Sequence, residues 1–141
     1  MTFISHALVT TAGVQILHLQ GYELYLAYMF GVLIDFDHIL KTRLYFSKNK
    51  LKKEKHYHWR TSLQEPVALL WIIPLSIFIN SIVPIIFFTT HLLLDYFVSY
   101  NKLPLYPFTK YSTKGLITNV SDRIKEILVI FISLCINLIL L

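Results

Sequence analysis

Ile85-Ile-Phe-Phe-Thr-Thr-His91-Leu-Leu-Leu-Asp95-Tyr-Phe-Val-Ser-Tyr100 is the stretch on which the reading of the fold turns. It is continuously apolar rather than alternating, which argues against a strand of a membrane barrel. It is interrupted by one histidine and one aspartate four residues apart, so both project from one face if the stretch is helical. Outward from it lie four more apolar runs. They cover about 3–19, 22–40, 63–79 and 123–141 and approach the roughly 20 residues a bilayer-crossing helix needs. Gln20-Gly21 breaks the first run from the second. Asn80-Ser81 followed by Pro84 marks a tight reversal before the fourth, and Ser121-Asp122 offers an N-cap for the last. The expectation is all-α: a polytopic transmembrane bundle of four to five helices, with residues 1–141 forming one membrane-embedded domain.

Composition agrees. Hydrophobic residues make up 55% of the 141 and charged residues 15%, against about 25% charged in an ordinary soluble domain. The lone cysteine, Cys135, excludes an internal disulfide and disfavours a thiolate cluster. All 13 Lys and Arg fall between Lys41 and Arg60 or between Lys102 and Lys125. The positive-inside rule places both segments, about 41–62 and 101–122, in the cytoplasm. The amino terminus is then inside and the carboxyl terminus outside if there are five crossings, or four if the first run is interfacial. Leu51-Lys-Lys-Glu-Lys55 is explained by anionic headgroups, and no nucleic-acid partner is expected. The expected location is the cell (inner) membrane.

Ionisable groups inside a bilayer are costly and default to function. In this topology His6, Asp35, Asp37, His38, His91 and Asp95 share the cytoplasmic membrane depth, with the loop histidines His56 and His58 on the same side. Asp35 and His38 share a helix face. Asp35 and Asp37 point apart unless the helix ends or loosens there. Imidazole with carboxylate suits zinc, manganese or iron better than calcium. The bland alternatives stand beside this: His91 and Asp95 as a mutually neutralising pair, Asp35 or Asp37 as a cap or a partner of Lys41, and Arg60 as a border residue. Ser62-Leu-Gln-Glu65 reads as a capping box with Pro66 in the first turn, while a metal or acid–base role for Glu65 stays open.

Ser5-His6, Gly31-Val-Leu-Ile-Asp35-Phe-Asp37-His38, His56-Tyr-His58-Trp-Arg60-Thr-Ser62 and His91-Leu-Leu-Leu-Asp95, in that order, resemble the small membrane-bound metal-dependent hydrolases of the YdjM-like family. That family is distantly similar to zinc-dependent phospholipase C. Leu105-Tyr-Pro-Phe108 is similar to its segment after the fourth helix. The resemblance implies metal ligands at His6, Asp35 or Asp37, a loop histidine, His91 and Asp95. Ile34 stands where the family often has proline. With His56 aligned to the first histidine of the family's loop motif, Thr61 falls at the second, whereas a shifted alignment uses His58. The expected activity is hydrolysis of a phospholipid-like ester or phosphodiester by a metal-bound water at the cytoplasmic face. A divalent metal, zinc first, is the expected cofactor. Asp35 or Asp37 would take the proton, and Arg60 would bind phosphate through its planar fork. The rival readings are a metal-binding transporter and a non-catalytic membrane scaffold.

Overall fold

The computed structural model describes residues 1–36, 62–98, 102–109 and 111–141. Within them the fold is helical, and each apolar run supplies one helix: α1 Phe3–Ile16, α2 Gly21–Gly31, α3 Leu69–Phe78, α4 Val83–Phe97 and α5 Asp122–Ile139. Short 3-10 turns cover Leu33–Phe36, Ser62–Gln64 and Pro66–Ala68.

The helices stop where backbone chemistry makes them stop. α1 ends before His18, which adopts a left-handed φ of 50°, and Gly21 opens α2 at φ 57°, a conformation glycine enters without steric cost. α3 ends at Asn80, also left-handed at φ 52°, with the Ser81 amide donating to the Ser76 carbonyl. Pro84 then sits in the first turn of α4, where its missing N–H costs nothing. Ser121 caps α5 by accepting from the Ile124 amide at 3.4 Å, as the sequence suggests.

These stops leave the helices shorter than the apolar runs. They have 14, 11, 10, 15 and 18 residues, and at about 1.5 Å per residue the longest is about 27 Å. Among the described residues no helix is long and apolar enough to cross a membrane. The second run loses length because it loosens into the 3-10 turn after Gly31. The third loses it because Pro66 starts a 3-10 turn rather than α-helix.

α1 packs between α2 and α5, α2 packs on α4, and α4 on α3. The apolar core is small: Ala27, Phe30, Ala68, Ile72, Val83, Phe87, Phe88 and Leu92. Beside it the interior holds Ser5, His6, Thr10, Gln64, Glu65, His91, Asp95, Lys102 and Lys125. Meanwhile Trp71, Phe78, Phe131 and Leu138 are among many large apolar side chains left exposed. α5 is the clearest case. Lys125, Ser133 and Asn137 face inward, while Ile124, Ile127, Phe131 and Leu138 face out.

Two polar features divide the bundle into distinct ends. At one, Ser81 Oγ donates to Glu23 Oε1 at 3.3 Å and accepts from the Val83 amide, joining the two short connections that carry no Lys or Arg. At the other, Lys102 pairs with Thr113 in an isolated antiparallel bridge, and the Leu116 amide donates to the Tyr96 carbonyl. The second basic segment therefore folds back on the end of α4. Lys102 is buried there, its ammonium donating to the Val98 carbonyl at 3.2 Å, so this residue does not face headgroups or solvent.

Candidate metal centre

α1 and the turn after α2 each deliver one ionisable side chain to a common point, and α4 delivers two. His6 lies one turn into α1, and its backbone entry is held from outside: Glu126 of α5 accepts from the Thr2 amide at 2.9 Å and from Ser5 Oγ at 3.1 Å. Asp35 lies on the 3-10 turn Leu33–Phe36, so the helix does loosen at this place. His91 and Asp95 come from one face of α4, as their spacing requires.

The geometry is close. His91 Nε2 is 3.4 Å from Asp35 Oδ1 and 4.0 Å from Asp95 Oδ2. His6 Nε2 is 3.3 Å from Asp95 Oδ1 and 3.8 Å from Asp35 Oδ2. The two imidazoles stack at 4.1 Å between centroids and 19° between planes. One ligand atom from each of His6, Asp35 and His91 lies within 4.8 Å of the others, an arrangement that can hold a metal ion. Asp95 adjoins this trio and also accepts from the amino group of Met1 at 2.9 Å.

The donors fit a cation on an observation independent of that spacing. His6 Nε2 and His91 Nε2 are buried and make no hydrogen bond, and neither does His6 Nδ1. A buried polar atom left so costs on the order of 1–3 kcal/mol, and coordination by both Nε2 atoms would remove most of that cost. His91 is prepared for the role. Its Nδ1 lies 3.0 Å from the Gly31 carbonyl, which can only accept. Nδ1 therefore carries a proton, and in the neutral ring Nε2 keeps its lone pair for a cation, the usual outer-sphere arrangement of a ligating histidine. Gly31 is needed at that spot because a Cβ there would run into Thr10 Oγ1 of α1. Asp35 is the most open member, with 18% of its side chain exposed against 0% for His6 and His91 and 4% for Asp95.

Of the residues singled out from the sequence, His6, Asp35, His91 and Asp95 are brought together. Asp37, His38, His56, His58 and Arg60 lie outside the described residues. Glu65 accepts from Tyr96 Oη at 3.0 Å and from the Leu103 amide at 3.4 Å, and its side chain makes no cap bond to the turn it precedes. Three participants carry no charge and escape a search for ionisable groups: the Gly31 carbonyl, Tyr96, and Gln64, whose Nε2 donates to Asp35 Oδ1 at 3.2 Å. Gln64 stands inside the quoted Ser62-Leu-Gln-Glu65 pattern, where it reads as a spacer. No family model, curated protein or solved structure matches the chain.

Proposed function

We propose that this chain is a membrane-bound, metal-dependent hydrolase acting at the cytoplasmic face of the cell membrane on a phospholipid-like ester or phosphodiester. The observation that carries the reading is the convergence of His6, Asp35 and His91 with both Nε2 atoms buried and without hydrogen bonds. The ordered motifs that resemble the YdjM-like hydrolases support it. So does the polarity of the bundle, whose polar residues point inward while Ile124, Ile127, Phe131 and Leu138 point out. Such a surface suits acyl chains better than water. The basic segments mark the cytoplasmic side.

His6, Asp35 and His91 would hold the ion, zinc by the nitrogen-rich donor set, with Asp95 beside them. A divalent cation bound there supplies a Lewis acid that polarises the substrate oxygen and acidifies water. The chain's own residues do the rest. His91 is oriented by Gly31, so its ring need not reorganise during turnover. Asp35, the most open of the four at 18% exposure, would accept the proton of the attacking water on an oxygen not bound to the ion. Asp95 supplies negative charge that offsets the cation while staying out of the opening.

The test uses the full chain purified in detergent. Elemental analysis should find zinc, manganese or iron bound to the wild type and lost in His91→Ala. Reconstituted into mixed phospholipid liposomes, the protein should release headgroup or acyl product, stop with a chelator and recover with metal. Turnover that survives both chelation and His91→Ala overturns the reading. Metal-dependent cation flux without hydrolysis would replace it with transport.

A further inference from the structure

The Asp35 carboxylate is in an unusual position for a ligand. It stands between two imidazoles, with Oδ1 toward His91 and Oδ2 toward His6. The 3-10 turn that carries it, Leu33–Phe36, contains no buried residue. The turn itself is seated by Ile34, packed against the apolar core, and by Phe36, edge-on to Phe3 at 5.9 Å, but neither contact touches the carboxylate. The terminal torsion of aspartate is broad and two-fold, so nothing within Asp35 fixes which oxygen faces which ring.

We propose that Gln64 is the positioning residue of this centre, its amide fixing the rotation of the Asp35 carboxylate so that each oxygen faces one histidine. Gln64 is fully buried, and its Nε2 donates to Oδ1 at 3.2 Å. The direction of that bond is set by chemistry, because an ionised carboxylate only accepts. Gln64 is itself held in place. The next residue, Glu65, is tied to Tyr96 on α4 and to the Leu103 amide, and Pro66 follows with its φ restricted by the ring. The turn that carries the donor is thus anchored to the helix that carries His91 and Asp95. The Asp35 carboxylate is thereby tied to that anchored turn through the Gln64 amide. Outer contacts of this kind are worth about 10–100-fold in metal affinity.

This inference rests on the reading of His6, Asp35 and His91 as a metal centre, and one experiment separates the two. Zn2+ affinity is measured by competition with a chromophoric chelator for the full-length wild type, Gln64→Met and Gln64→Asn, with the Co2+ absorption spectrum recorded for each. Methionine keeps the volume and removes the donor, so a space-filling glutamine predicts no change. A positioning glutamine predicts affinity lower by about 10-fold or more and an altered Co2+ band. Asparagine keeps an amide but retracts it by one methylene, so it should also weaken binding. It serves as the measurement if the methionine variant does not fold. Wild-type affinity and an unchanged spectrum in either folded variant overturn the role of Gln64 alone. A wild type that binds neither Zn2+ nor Co2+ overturns this role together with the metal centre itself.

Discussion

α4 and α5 both turn polar side chains inward, and they do so with different results. On α5 the buried donors find partners within the fold, and Asn137 Oδ1, which has none among the described residues, has no ligand-type neighbour in the histidine–aspartate group. Asn137 Nδ2 donates to the Leu8 carbonyl at 3.0 Å and to the Ser133 carbonyl at 2.7 Å. Lys125 reaches the Ile117 carbonyl and Asp122 Oδ1. On α4 the His91 ring has one nitrogen committed to Gly31 and the other left without a hydrogen bond, opposite a His6 ring in which neither nitrogen makes one. Burial of a polar residue therefore does not identify a site by itself. A satisfied inward group is a fastening between helices, and an unsatisfied one among ligand-type neighbours is an invitation to a cation.

That contrast is broken first by removing a proposed ligand. His91→Ala should lower zinc affinity by more than about 100-fold, since even outer contacts cost about 10–100-fold. Competition titration reads it, and a small change would put His91 among the fastenings. The next largest effect falls on the support of that ring. Gly31→Ala should destabilise by about 1–3 kcal/mol as an overpacking substitution, because the new Cβ meets Thr10 Oγ1. Denaturant unfolding in detergent measures the loss, and adding Thr10→Ala should restore part of it. Failure of that rescue would mean that the close approach of α1 and α2 is not what excludes a side chain at 31. The smallest effect belongs to α5. Asn137→Leu should cost about 1 kcal/mol, the net worth of an ordinary hydrogen bond, and leave zinc affinity at the wild-type value. A loss of affinity would show that α5 tunes the centre rather than only holding α1.

The same contrast explains how much was legible beforehand. Five apolar runs predict five helices, and glycine, proline, asparagine and serine mark their ends, because those signals are local. His91 and Asp95 are legible as a pair because helical periodicity alone places them on one face. The meeting of α1 with α4 around Asp35 is suggested by the shared depth of the costly residues. What stayed hidden is long-range and uncharged: the Gly31 carbonyl, available only because α2 stops there, and the Gln64 amide, which acts across 29 positions of chain. Helix length was overestimated because apolar character continues past the point where the backbone leaves the α conformation. Asp35 shows this directly, being apolar in its neighbours and 3-10 in its backbone.

The early stop of α2 has a consequence for how this chain tolerates change in length. The Val32 amide closes the helix on Tyr28, and the Asp35 amide turns back to Val32, so the Gly31 carbonyl faces His91 instead of an amide of its own helix. One residue added between Gly31 and Asp35, or one removed, would turn the carboxylate by about 100° if helical geometry were kept. It would also change which carbonyl meets the ring. The exposed stretch 105–109 has no comparable register to keep. Length variation should therefore accumulate in that stretch and be purged from the three residues between Gly31 and Asp35.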